Sequence, residues 1–403
     1  MKQRVIVLSI LDGLSCGGDE NRVLQLAQAI DRERFDFRVA TIRPPDPALD
    51  RQFGSLRDRF VDAGIPLIDL SVPRVTRGLG ANDVRRHVLR VTMLRATVQR
   101  IVEYVRHERV DLIDGHHGAG YLCGTIAGMV AGVPTLMTTY NVREAWSPQA
   151  VWNSVHGLTL ASVGAVVTDS YAVADQVRSR MPRTHHSRVR VIPNGPSRPQ
   201  AERSDAQVRA FFGLPPRGRT RVIAQIAALL PGKGQHLLIA AAPAVLARHP
   251  DVTFLLVGYE REQQGYGARL RATAEALGVG DNVVIGPYPG PIGDVWQTVD
   301  IHAHPTMLDS LPNAILEGMS LGKPVVASAI AGIPTLVAHE RTGMVVPPDD
   351  VPALADALIR LLDQPEMARA FGEAARRRFD ERYTQELLAR RMEALFSELA
   401  AAR

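Results

Sequence analysis

Two carboxylates eight positions apart, Asp309 and Glu317, lie in the stretch DSLPNAILEGMSLGKPVVAS, which the pattern reads as a loop, a helix and a buried strand. Pro312 suits a first helical position, Ile315, Leu316 and Met319 repeat at helical spacing, and Gly322-Lys323-Pro324 ends the run. Asp309 therefore belongs to the loop and Glu317 to the helix. Between them Ser310, Leu311, Pro312, Asn313 and Ala314 form the entry to the helix, where unpaired backbone N–H groups make an anion site. Such an arrangement suits a phosphorylated sugar.

Other residues extend that chemistry. Lys233 stands in Pro231-Gly232-Lys233-Gly234, between a strand at 221–226 and a helix at 235–248, where it would meet a diphosphate as a point charge. A second strand ends in Asp114, Gly115, His116 and His117, and histidines at the carboxyl end of a strand face the crevice of an open α/β sheet. Near the start, Gly17-Gly18 separates a strand from a helix and lets a phosphate or an acceptor approach the positive helix end. His302 and His304 alternate on a strand with no carboxylate set beside them, so no metal site is expected. Neither a G-x-G-x-x-G turn nor a G-x-x-x-x-G-K-[ST] loop occurs, which argues against dinucleotide and P-loop chemistry.

The elements that must hold these residues follow a strand–helix rhythm. At 403 residues the chain exceeds one core and fits two domains, and 46% apolar with 22% charged residues describes a soluble globular protein. The expected order is an N-terminal Rossmann-like domain over 1–195, a proline-rich, aperiodic linker over 196–218, a second Rossmann-like domain over 219–380, and a helix over 381–403. An apolar stripe of Val23, Leu26, Ala27 and Ile30 marks the first helix. The net charge of +5 comes almost wholly from arginine and favours anionic partners. Arginines gather on a helix over 82–109, which reads as a solvated basic face or as a peripheral docking face for anionic membrane. The first apolar run is cut by Asp12, so it reads as a strand and not a signal peptide, and a cytoplasmic location is expected. Cys16 and Cys123 are read as small buried side chains.

Five of these motifs, in order, resemble the retaining glycosyltransferases of family 4. GGDE at Gly17 is similar to their opening glycine-glycine-x-glutamate turn, and Asp114-Gly115-His116 stands where they commonly carry his-x-his. Pro193-Asn194-Gly195 resembles their exit from the N-terminal domain. The glycine-arginine-leucine, three variable residues, lysine-glycine turn reads here from Ala227 to Gly234, with Ala228 in the arginine's place. Asp309 and Glu317 resemble their pair of glutamates, the first shortened to aspartate.

The resemblance implies the GT-B architecture, two doubly wound α/β domains with chemistry in the cleft between them. It implies an N-terminal domain for a glycan or lipid-linked acceptor and a C-terminal domain for a UDP- or GDP-sugar donor, with no nucleic acid, no cofactor and no metal. By the same resemblance Asp309 lies against the sugar, Glu317 accepts from ribose hydroxyls, and His116 positions the sugar or acceptor, with His117 as its rival. Retention of anomeric configuration and a role in cell-surface polysaccharide or glycolipid synthesis are further implications. Two alternatives stay open: a non-catalytic nucleotide-sugar-binding partner, motivated by Ala228, and a sugar-nucleotide epimerase of the same architecture.

Overall fold

The computed structural model describes residues 4–14, 17–44, 55–72, 84–116, 118–140, 159–260 and 265–402, and of 84–91 the backbone alone. The chain divides into two compact units, Met1–Asn194 with Gln385–Arg403, and Gly195–Thr384.

In the first unit the strands are β1 Val5–Leu11, β2 Phe35–Thr41, β3 Leu67–Asp69, β4 Leu112–His116, β5 Thr135–Thr139, β6 Ala165–Thr168 and β7 Val189–Val191. Between them run α1 Gly18–Ala29, α2 Leu56–Asp62, α3 Val84–His107, α4 Gly118–Ala131 and α5 Tyr171–Arg178. The sheet is parallel, in the order β3-β2-β1-β4-β5-β6-β7. Helices cover both faces, which is why β1, VIVLSIL, is almost continuously apolar instead of alternating. The stripe expected on α1 is buried at Val23, Leu26, Ala27 and Ile30.

The second unit opens with α6 Asp205–Phe212 and continues with β8 Arg221–Ile226, α7 Gln235–Arg248, β9 Val252–Val257, α8 Tyr266–Ala276, β10 Val283–Gly286, α9 Ile292–Thr298 and β11 Ile301–His304. Then follow α10 Asn313–Ser320, β12 Val325–Ser328, α11 Ile333–Leu336, β13 Met344–Val346, α12 Val351–Asp363 and α13 Pro365–Arg382. Its parallel sheet has the order β10-β9-β8-β11-β12-β13. Strand order therefore reverses between β1 and β4 in one unit and between β8 and β11 in the other. At such a reversal neighbouring loops part in opposite directions and open a crevice at the carboxyl ends of the strands.

Two boundaries differ from the sequence reading. The stretch 196–218 is more than a linker, because α6 lies inside it: Ser204 and Gln207 form a reciprocal capping box, Gly213 ends the helix at φ 67°, and Val208 and Leu214 join a core with Tyr288, Val295 and Trp296. Two turns are too short to show a helical period, although the cap signal is present. At the other end α13 runs on to Arg382, and the final helix, α14 Gln385–Ala401, belongs to the first unit. There it buries Leu388, Met392, Leu395, Phe396 and Leu399, while Glu393 accepts from the Asp31 N–H at 2.8 Å.

Cys123 is buried, as expected; Cys16 and His117 lie outside the described residues. No helix among the described residues is long and apolar enough to cross a membrane.

Candidate active site

Each reversal point carries a cluster of polar side chains. In the second unit the turn after β8 and the loop after β11 are stapled together: Met307 N–H donates to Gly232 O at 2.8 Å and Thr306 Oγ1 donates to the same oxygen at 3.1 Å. Gly234 closes the turn at φ 74°, and a Cβ there would fall onto the Pro305 carbonyl oxygen, so only glycine fits both the angle and the space. Gln225 at the end of β8 donates to Lys233 O at 2.6 Å, and Gln235 in α7 donates to Ala228 O at 2.8 Å. Lys233 is thereby aimed by its own backbone. Its Nζ lies 2.5 Å from Asp309 Oδ1, and His304 Nε2 lies 3.1 Å from Asp309 Oδ2. Burial alone would raise the Asp309 carboxyl, but the Lys233 charge and the His304 hydrogen bond outweigh it and bring it down to about 2.

Helix α10 starts one residue later than expected, with Pro312 as its cap and Asn313 as its first residue. Pro312 has no N–H, and the Leu311 side chain turns into the core beside Ile315 and Leu316. The first-turn donors with no intrahelical carbonyl to reach are thus the amides of Asn313 and Ala314. One turn on, Glu317 receives the Trp296 indole N–H at 3.3 Å. Glu317 keeps a minor part of its surface open, yet protein crowds it closely enough that burial raises its carboxyl to about 7, which the Trp296 hydrogen bond only partly offsets. Behind it, the buried His302 ring meets Trp296 edge-on at 5.0 Å. His302 is thus a packing residue under the helix and His304 a partner of Asp309. Among the described residues no group of three or more His, Cys, Asp or Glu is placed to hold a metal ion.

In the first unit, Asp114 and His116 lie two apart on β4 and so project from the same face. His116 Nε2 lies 3.0 Å from Asp114 Oδ2, Thr138 Oγ1 donates to Asp114 Oδ1 at 2.8 Å, and His116 Nδ1 lies 3.3 Å from the Tyr140 hydroxyl. The carboxylate fixes the ring with its proton on Nε2, leaving Nδ1 to face Tyr140. Burial pushes the Tyr140 phenol well above its usual value, so it stays a donor. Arg22, itself buried, stands 5.6 Å over the Tyr140 ring and donates to Ile192 O at 3.0 Å and Asn194 Oδ1 at 2.7 Å. It ties α1 to the Pro193-Asn194-Gly195 turn. The Gly17-Gly18 entry to α1 carries Asp19 and Glu20 in its first turn, and these carboxylates already complement the positive helix end. A hydroxyl suits that turn better than a phosphate.

The second unit thus gathers Lys233, Asp309, Asn313, Ala314 and Glu317 at one sheet edge, while His116, Gly17 and Gly18 lie at the edge of the other. Sequence reasoning did not single out Arg22, Tyr140, His304 in its pairing role, or Trp296. Arg22 carried a signal: it lies four residues before Leu26, on the buried stripe of α1, where an unpaired arginine would be expensive.

Comparison with known proteins agrees with the two-unit α/β fold. Residues 17–195 match the glycosyl transferase 4-like domain, and residues 208–378 match the glycosyl transferases group 1 domain. The D-inositol 3-phosphate glycosyltransferase of Segniliparus rotundus is 29% identical over 292 residues, covering 68% of this chain but only 63% of that protein. An alpha-D-kanosaminyltransferase of Streptomyces kanamyceticus is 25% identical over 355 residues, 84% of this chain and 88% of its own. Among solved structures, Anabaena HepE in complex with UDP-glucose superposes with a TM-score of 0.80 at 20% identity, covering 98% of this chain and all of that one. With both domain models matched in order across the two α/β units, the chain belongs to the family 4-like glycosyltransferases of GT-B fold.

Proposed function

We propose that the protein transfers a sugar, with retention of configuration, from a UDP- or GDP-sugar to a hydroxyl of a glycan or lipid-linked acceptor on the cytoplasmic side of the membrane. The observation that carries this reading is the convergence of Lys233, the amides of Asn313 and Ala314, and Glu317 at the β8/β11 reversal. A departing nucleoside diphosphate needs a cation and fixed dipoles at its phosphates and an acceptor for its ribose hydroxyls, and this edge supplies each. His116, held by Asp114 and Tyr140, positions the sugar or the acceptor hydroxyl from the first unit. The relative named for D-inositol 3-phosphate supports a polyol hydroxyl as acceptor, and the one named an alpha-D-kanosaminyltransferase supports transfer of a sugar.

Calorimetric titration with UDP and GDP tests the donor reading. One nucleotide should bind, and binding should weaken in Glu317→Ala; failure of both nucleotides to bind would reject it. A second reading, a non-catalytic binding partner, is favoured by Ala228, which brings no charge to the place where the family carries arginine. Ala228→Arg should tighten nucleotide binding if the pocket is otherwise intact, and a gain of turnover from a silent starting protein would support this second reading.

Peripheral membrane contact belongs to the same proposal. Arg95, Arg100 and Arg106 on α3 are exposed, and Arg106 donates to the carbonyl of Val130, which together with Met129 presents open apolar surface. Flotation with anionic vesicles at low salt is the check.

A further inference from the structure

Asp309 is shorter by one methylene than the glutamate expected beside the sugar, and both of its oxygens point elsewhere. Oδ1 is held by Lys233 from the β8–α7 turn and Oδ2 by His304 at the end of β11. His304 is almost fully buried, and its other ring nitrogen, Nδ1, is a buried atom without a partner, so the ring spends its hydrogen bonding on Asp309. The loop that carries Asp309 is itself fastened to Gly232 by Met307 and Thr306, and the Leu308 side chain lies against Gly232. The carboxylate is therefore brought to the lysine by three independent constraints.

We infer that Asp309 serves in this chain as the resident counter-ion of Lys233, occupying the ammonium that the donor's diphosphate needs, and does not serve as the acid that contacts the transferred sugar. This rests on the proposed donor reading of Lys233. Two consequences follow from electrostatics. Lys233 and Asp309 together carry no net charge, and Ala228 adds none, so a diphosphate meets a side-chain field close to neutral and depends on the α10 amides. Affinity for the donor is then set by competition: the diphosphate gains the lysine only as far as it loosens the carboxylate's hold. A sugar-contacting acid would act differently, because it would discriminate between UDP and UDP-glucose, whereas a counter-ion treats them alike.

The test is calorimetric titration of the full chain and of Asp309→Asn with UDP, GDP and UDP-glucose at several salt concentrations. Asp309→Asn should bind the preferred nucleotide and its sugar conjugate about three- to tenfold more tightly, and to the same extent, since one partner of a close charge pair is removed. Its affinity should also fall more steeply with salt than that of the wild type. In the Lys233→Met background the gain should shrink, because no ammonium is released and only the direct repulsion between carboxylate and diphosphate is relieved, a dependence that a merely structural role for Asp309 would not produce. Weaker binding of UDP-glucose alone would restore the sugar contact and overturn the inference. Weaker binding of all ligands by Asp309→Asn would overturn it in favour of support for the loop, and equal melting temperatures would show that the variant is folded. Absence of binding by both wild type and Asp309→Asn would overturn it together with the donor reading, whereas the other failures leave that reading standing.

Discussion

In the proposed function Glu317 accepts from ribose hydroxyls, which a carboxylate does best when ionised, and burial raises it from 4.5 to about 7. Affinity for a nucleotide sugar, whose diphosphate does not titrate near neutrality, should accordingly rise about tenfold from pH 6 to pH 8, following the ionised fraction. Glu317→Gln should flatten that profile, and Glu317→Ala should weaken binding by roughly 10- to 100-fold, the range for a hydrogen bond to a charged group. The stability of the empty protein moves the opposite way. Between 4.5 and about 7 the folded chain holds a proton on Glu317 that the unfolded chain has released, so this residue's contribution falls as pH rises through that window. Thermal melts of wild type and Glu317→Gln across the window check the sign. The position of Glu317 on a helix was legible from the spacing of Ile315, Leu316 and Met319, but its partner was not. Trp296 arrives from α9, twenty-one residues earlier, and nothing local in the sequence ties an indole to that carboxylate.

At the scale of elements, the β8–α7 turn shows which part of the pattern carries position. Gly234 is required twice over, by φ 74° and by the Pro305 carbonyl, while at Gly18, inside the first turn of α1, an added Cβ would meet nothing within 4 Å. Gly234→Ala is expected to cost about 1–3 kcal/mol, lower the melting temperature by several degrees and weaken nucleotide binding, because Lys233 is the preceding residue. Gly18→Ala should leave stability within about 0.5 kcal/mol or raise it slightly, as alanine favours a helix. Equal losses in both would contradict the geometry of the turn. Strands and long helices were readable because burial on both faces or one face imposes runs or periods of 3.6, as in β1 and α1. Short α6 was not, since two turns hold too few residues for a period, although Ser204-x-x-Gln207 marked its start. The Asp114, His116 and Tyr140 cluster was half readable: alternation on β4 gives the first two, while Tyr140 follows a different strand, and the pairing of β5 with β4 supplies the contact.

For the whole molecule, the division at Thr384/Gln385 makes the first unit discontinuous in sequence, with α14 as its last piece. Leu388, Met392, Leu395, Phe396 and Leu399 are all at most 7% exposed in that core, and at about 1.5–3 kcal/mol per buried apolar side chain they contribute roughly 10 kcal/mol. That figure equals the net stability of an ordinary domain, so the first unit cannot spare the helix. A chain ending at Thr384 should lose the folded first unit, seen as one missing transition in calorimetric melting and as exposed apolar surface that binds a hydrophobic dye. The fragment 195–384 keeps its own six-stranded sheet, its cores and every proposed donor-binding residue from Lys233 to Glu317, and should therefore fold alone. Its affinity for the preferred nucleotide should match that of the full chain within about threefold if the donor determinants lie in this unit, whereas a loss beyond tenfold would mean that the first unit supplies nucleotide contacts of its own.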